Sequence, residues 1–148
     1  MNERQIQKEV KSKRNGKAFI PNILWNDRWE ADLIEITRTY QVIEYEIKVS
    51  KSDFRADFKK EEKHNLLSVG YDITLMPNYF YYICPEGIIP EKDVPEYAGL
   101  IYVIQNKFNS LQRKLKYVKK APILHNEKVT YEQWRKMALQ LSWKADKS

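Results

Sequence analysis

The spacing of apolar residues along the chain predicts a helix followed by three strands. Ile6 and Val10 lie four residues apart in a polar segment of helix formers, Glu3–Arg14, and Asn15-Gly16 follows as a stop signal. Three β-branched and aromatic segments come next, joined by short polar connections. They predict an antiparallel meander over Ala18–Trp25, Trp29–Thr37 and Tyr40–Val49.

The rest of the chain alternates between helical and strand-like patterns. Ser50, with Asp53 three residues later, resembles a helix cap, and the helix that it begins is predicted to run to about Leu67. This order predicts an α/β fold, with a central mixed β-sheet flanked by helices, in one domain over residues 1–148. The remaining predicted elements are strands at Tyr79–Cys84 and Leu100–Gln105, an edge strand at Leu111–Val118 and a closing helix at Tyr131–Lys144.

Composition narrows the class of protein. The 148 residues are enough for one domain with a single core, and a hydrophobic content of 43% is that of a globular chain. No apolar stretch approaches the ~20 residues of a membrane helix, and the charged N-terminus lacks a signal-peptide pattern. We therefore expect a cytoplasmic protein without a membrane partner. The single cysteine, Cys84, excludes an intrachain disulfide and a Cys-based zinc site.

Basic residues outnumber acidic ones by 26 to 20, and the excess lies mainly in two segments. Gln105–Lys120 carries six basic residues and no acid, while Met1–Ile20 carries six basic residues and two acids. Either segment could face a polyanion such as nucleic acid, and a solvated basic surface is the alternative. Charge alone therefore does not establish a nucleic-acid partner.

Two neighbouring strands carry the candidate chemistry. Alternation along Tyr40–Val49 places Glu44, Glu46 and Lys48 on one face of the strand. Asp32 lies in the middle of an apolar segment on the adjacent strand. If the connecting loop has three residues, Asp32 falls directly across from Glu46, whereas a two-residue loop would place the two acids on opposite faces. The loop lacks the glycine that tight two-residue hairpins prefer, which favours three residues.

Two carboxylates held this close repel each other, and their hard oxygens are the ligands that Mg²⁺ or Mn²⁺ selects. Asp32 and Glu46 therefore predict a metal site. A bound metal ion can lower the pKa of a water and neutralise charge on a phosphate, and Lys48 on the same face can position the nucleophile. The arrangement is typical of a phosphodiesterase site.

These residues resemble the PD-(D/E)xK nucleases, whose spaced acid and acid-x-lysine motif match Asp32 and Glu46-Ile47-Lys48. Within that superfamily the chain is similar to the MmcB-like DNA-repair proteins over roughly Trp29 to Val103. The matching segments are Ala31-Asp32-Leu33, Glu46-Ile47-Lys48-Val49-Ser50, Ser52-Asp53-Phe54, Asp57 with Lys59, Tyr79-Phe80-Tyr81 and Ala98-Gly99-Leu100-Ile101. One departure is Ala31, which stands where a proline would precede the acid.

The resemblance implies a restriction-endonuclease-like core and a nuclease-like protein, and it does not name a substrate. We interpret the chain as a metal-dependent nuclease that hydrolyses phosphodiester bonds in DNA, in DNA repair or processing. The resemblance implies Asp32 and Glu46 as metal ligands, the Ile47 carbonyl as a further ligand and Lys48 as catalytic. A DNA-binding protein that keeps the fold without cutting, and a protein-interaction module on the same scaffold, are the alternatives. RNA as the substrate and a homodimer also stay open.

Further residues are candidates around this site. Glu9 on the first helix could approach the metal, although Glu3 competes with it and a solvated helix face explains both. Glu44 could reach a metal through water, and an outward-facing strand position is the simpler account. The candidate phosphate-binding residues lie beside the proposed site and in the basic C-terminal segment: Arg28, Lys59, Lys60, Lys63, Arg113, Lys114 and Lys116.

Overall fold

A computed structural model describes residues 1–24, 29–57, 67 and 76–147, without the side chains of 142–147. The helices are α1 (Glu3–Lys13), α2 (Lys51–Asp57) and α3 (Tyr131–Lys147), and a short 3-10 helix spans Glu91–Asp93. The strands are β1 (Ala18–Ile23), β2 (Ala31–Ile36), β3 (Val42–Ile47), β4 (Tyr79–Pro85), β5 (Ala98–Gln105) and β6 (Arg113–Lys119).

The six described strands form one sheet in chain order, β1 to β6. β1, β2 and β3 pair antiparallel as the predicted meander, β3, β4 and β5 pair parallel, and β6 returns antiparallel. The predicted α/β fold with a central mixed sheet flanked by helices is therefore confirmed. No helix in the described ranges is both long and apolar enough to cross a membrane.

Helices cover both faces of the sheet. Ile6 and Val10 of α1, four residues apart, are completely buried in a cluster with Leu33, Tyr45 and other side chains of one face. Phe54 of α2 and Leu67 pack on the other face against Phe80, Tyr82 and Leu100, and Met137 of α3 packs there on Ile20, Ile34 and Val42. β3 lies between these layers, so all six of its residues are buried, including two glutamates.

The β2–β3 hairpin has the register that places Asp32 across from Glu46. Leu33 pairs with Tyr45 and Ile36 with Val42, and the same register continues to Asp32 and Glu46. The amide of Thr37 donates to the carbonyl of Gln41 at 2.9 Å, which closes a loop of three residues. The predicted odd-length loop is confirmed.

Tyr40 ends this loop in the left-handed region, with a φ of 62°. A residue in that conformation after a tight turn is the usual ending of a three-residue hairpin loop, and glycine is the residue that adopts it most readily. Here the backbone of Tyr40 is fixed by a hydrogen bond, since its carbonyl accepts from the amide of Val129 at 2.8 Å. The hairpin therefore reaches its register without a glycine.

Candidate functional site

The end of the β2–β3 hairpin opposite this loop carries the three residues predicted to be catalytic. Asp32, Glu46 and Lys48 line one open cleft of about 330 Å³, together with Ile47 and Asp57. An oxygen of the Asp32 carboxylate, Oδ2, accepts a hydrogen bond from the backbone amide of Ile47 at 2.8 Å. Sequence spacing and structure therefore agree on the position of these three side chains.

Asp32 and Glu46 influence each other electrostatically. Glu46 is only 3% exposed. Burial and the neighbouring Glu46 carboxylate together raise the pKa of Asp32 to about 7, against the lowering effects of the Ile47 amide and the Lys48 ammonium. Asp32 therefore changes its charge close to neutral pH, and a cation placed beside it would favour its ionised form.

Lys48 lies between two acids. Its Nζ donates to Oε1 of Glu46 at 3.0 Å and to Oδ1 of Asp57 at 3.3 Å. Burial by itself would lower the pKa of Lys48, but the carboxylates of Glu46 and Asp57 raise it above its usual value. Lys48 is therefore a fixed ammonium group at the wall of the cleft.

Asp57 is a member of the site to which the sequence analysis assigned no role, although the resemblance included it. It lies in α2, is only 1% exposed, and its Oδ2 accepts a hydrogen bond from the Tyr82 hydroxyl at 2.8 Å. The part of the predicted helix between Asp57 and Leu67 lies outside the described residues. Ser50 begins this helix as predicted, because its hydroxyl accepts from the Asp53 amide at 3.1 Å. A sequence signal did exist: Asp57 follows Phe54 by three residues, so it lies on the buried side of the helix.

Glu44 differs from its expected place. The outward-facing position predicted for it is wrong, because Glu44 is completely buried and its Oε2 accepts from the indole nitrogen of Trp29 at 2.9 Å. Glu44 is buried because helices cover that face of β3. The prediction assumed a face of an antiparallel sheet that is open to water. Glu44 does not line the cleft.

The first helix brings Glu3, and not Glu9, to the cleft. Glu9 faces β6, where its Oε1 lies 3.5 Å from the guanidinium of Arg113 and both side chains are 14% exposed. Six residues turn an α-helix through about 600°, so the two glutamates leave α1 on different sides. The suggested approach of Glu9 to the metal is not what the structure shows.

Among the predicted phosphate-binding residues, the three that the structure describes lie on β6 and do not line the cleft. Arg113 is engaged by Glu9, as above, and Lys114 and Lys116 are exposed on β6, three strands away from β3. Arg28, Lys59, Lys60 and Lys63 lie outside the described residues. Of the predicted phosphate-binding residues that the structure describes, Lys114 and Lys116 are therefore the exposed ones.

The cleft fits a divalent cation only in part. Asp32 and Glu46 offer two opposed carboxylates in an open, water-accessible space, which suits Mg²⁺ because that ion keeps several of its waters. In the described ranges, no three His, Cys, Asp or Glu side chains are grouped to hold a metal ion. Ile47 contributes its backbone amide to Asp32 here, and the role of its carbonyl stays a prediction.

Comparisons with known proteins leave the family open and support the fold. No protein-family model matches the chain, and no curated protein matches it either. Among solved structures it is similar to a protein of unknown function from Silicibacter pomeroyi, with 14% sequence identity and a TM-score of 0.63. The match covers 96% of this chain and 84% of that one. At this identity the likeness concerns the fold alone.

Proposed function

We propose that this chain is a metal-dependent nuclease that hydrolyses phosphodiester bonds in DNA, in the cytoplasm, with Asp32 and Glu46 holding Mg²⁺ or Mn²⁺. One observation carries the proposal: two largely buried carboxylates face each other across a hairpin at the wall of an open cleft, and their proximity helps to raise the pKa of Asp32 to about 7. Two carboxylates held close together in a cleft, with the pKa of one raised, are typical of a site for a cation.

The chain's own residues supply binding and orientation. A bound Mg²⁺ or Mn²⁺ would supply a water of lowered pKa and neutralise charge on the phosphate. Asp32 is fixed for its part by the Ile47 amide, and the Lys48 ammonium stands beside Glu46, where it can donate to a phosphate oxygen or to the attacking water. Asp57 positions Lys48 and is itself fixed by the Tyr82 hydroxyl.

A second candidate is a DNA-binding protein that does not cut. The observation in its favour is the double ion pair of Lys48 with Glu46 and Asp57, because a lysine already compensates part of the negative charge of the cleft. Metal binding separates the two candidates, since the non-cutting protein has no need of Asp32 and Glu46 as ligands.

The test is cleavage of labelled single-stranded, duplex and branched DNA, and of RNA, with Mg²⁺ or Mn²⁺. Native chain is compared with Asp32→Asn and Lys48→Met, and with Asp93→Asn and Lys92→Ala, two exposed positions in the 3-10 helix, as matched controls. We expect loss of cleavage by at least about 100-fold in the two site variants, the range for removing an acid–base or electrostatic group.

Circular dichroism and thermal melting establish that each variant is folded. Undiminished cleavage by Asp32→Asn would overturn the proposal. Absence of cleavage by the native chain, together with absence of Mg²⁺ and Mn²⁺ binding in calorimetry, would favour the non-cutting candidate instead.

A further inference from the structure

A groove between α1 and the β1 edge of the sheet adjoins the carboxylate cleft. Its volume is about 540 Å³, and Glu3 lines both spaces. A polymer held in the cleft could therefore extend into the groove without leaving the protein surface. The lining residues are Glu3, Arg4, Gln7, Lys8, Lys11, Pro21 and Asn22.

One side of α1 provides the positive charge of this groove. Arg4, Lys8 and Lys11 are exposed and lie at positions i, i+4 and i+7, so they share one face of the helix. They span seven residues, or about 10 Å along the helix axis. Phosphates of one strand follow one another at about 3.4 Å of axial rise in duplex DNA. Three cations over this length match a backbone segment of about three nucleotides.

The groove has a built floor. Gln7 is only 7% exposed, and its Nε2 donates to the backbone carbonyl of Asp32 at 2.8 Å and lies 3.5 Å from Oδ1 of Asn22. Asn22 lies opposite Asp32 in the β1–β2 register and has a φ of 51°, a left-handed conformation that asparagine tolerates better than most residues. The floor is therefore tied directly to the strand that carries the candidate metal ligand.

The opposite side of α1 has a different environment. Glu9 there faces Arg113 of β6 in a largely buried ion pair, and Lys13 projects away from the groove face by helical periodicity. Arg4, Lys8 and Lys11 therefore lie together on the side of α1 that lines the groove. A solvated helix face would not require a polar floor anchored to the Asp32 carbonyl.

We propose that the groove binds the sugar-phosphate backbone of the nucleic-acid strand whose neighbouring phosphodiester lies in the carboxylate cleft, an inference that rests on the proposed function. Arg4, Lys8 and Lys11 pair with successive phosphates, and the Gln7 and Asn22 amides line the bottom. Contacts to the backbone alone carry no base information, so binding here is independent of sequence.

The test measures binding of a labelled single-stranded oligonucleotide by fluorescence anisotropy in EDTA, so that no divalent metal contributes. The variant Arg4→Gln/Lys8→Gln/Lys11→Gln is compared with Lys13→Gln/Lys92→Gln/Lys128→Gln, which removes the same charge from exposed positions elsewhere. We expect the groove variant to bind at least about tenfold more weakly. Its slope of log affinity against log salt should fall by about 2, at roughly 0.7 per lost phosphate contact.

The outcomes separate this inference from the proposed function. Equal affinity of the groove and control variants would overturn the inference, and so would absence of binding by the native chain. Groove-dependent binding without metal-dependent cleavage would count against the nuclease alone. Cleavage that persists equally in both triple variants, together with equal binding, would count against the groove alone.

Discussion

Two acids on β2, Glu35 and Asp32, lie three residues apart on opposite faces of the sheet and differ in their partners. Glu35 is 1% exposed and accepts two hydrogen bonds from the Arg14 guanidinium, at 3.0 and 3.2 Å, and one from the Tyr45 hydroxyl at 2.7 Å. Asp32 accepts one hydrogen bond from a backbone amide and lies across from a second acid, Glu46.

The comparison distinguishes a structural carboxylate from a candidate functional one. Burial works against the charge of Arg14, yet its hydrogen bonds to Glu35 raise its pKa above the usual value, so Arg14 stays a cation beside Glu35. Burial and Glu35 also raise the pKa of the Tyr45 phenol, which stays a donor. Around Asp32, burial and another carboxylate act in the same direction. Burial of an acid therefore does not by itself distinguish a structural role from a functional one. The charged groups around the acid make that distinction.

The largest expected change in stability comes from removing the cation that pairs with Glu35. Arg14→Met leaves the buried Glu35 carboxylate without its bidentate cation, and removing one partner of a buried ion pair costs about 3–5 kcal/mol. Denaturant unfolding measures the change, with Arg14→Met/Glu35→Gln as the compensated control. A loss of stability below about 1 kcal/mol would show that Glu35 is not dependent on Arg14.

A smaller effect is expected from Asp32 as pH changes. The folded-state pKa of about 7 lies above the usual 3.8, so the native chain binds the extra proton between these values. Its stability should therefore fall as pH rises from about 4 to 7, by roughly 2 kcal/mol or more relative to Asp32→Asn. Chemical unfolding at a series of pH values tests this difference. Parallel pH profiles for native chain and variant would contradict the raised pKa, and saturating Mg²⁺ should reduce the difference between them.

The smallest effect concerns the close approach of the backbone to Glu35. A Cβ added at Gly16 would lie 2.6 Å from Cγ of Glu35 and 2.8 Å from Cζ of Phe19. Three hydrogen bonds fix the Glu35 side chain, so Gly16→Ala should cost about 1–2 kcal/mol through overpacking. Thermal melting measures the loss. A double-mutant cycle with Glu35→Ala should recover most of it, and an unchanged cost in that background would assign the effect to Phe19 or to the backbone of Gly16.

Local patterns predicted the hairpin and the three central side chains. Strand alternation and a loop of odd length were sufficient to place Asp32, Glu46 and Lys48 together, because both depend on residues close in sequence. The same patterns did not show that Glu44 is buried, since the alternation within β3 does not reveal which helices dock on the sheet. Asp57 and Glu3 depend on how α2 and α1 dock on the sheet, which the spacing within each helix does not determine.

The loop that ends at Tyr40 imposes an unusual restriction on a surface segment. Exposed hairpin loops ordinarily accept insertions and deletions at little cost. Here one residue more or fewer would slide β3 by one position against β2 and exchange its two faces. Glu44, Glu46 and Lys48 would then point into the apolar layer under α1, and Tyr45 would leave it. Single-residue length changes at this loop are therefore incompatible with the cleft, although the loop itself contacts none of it.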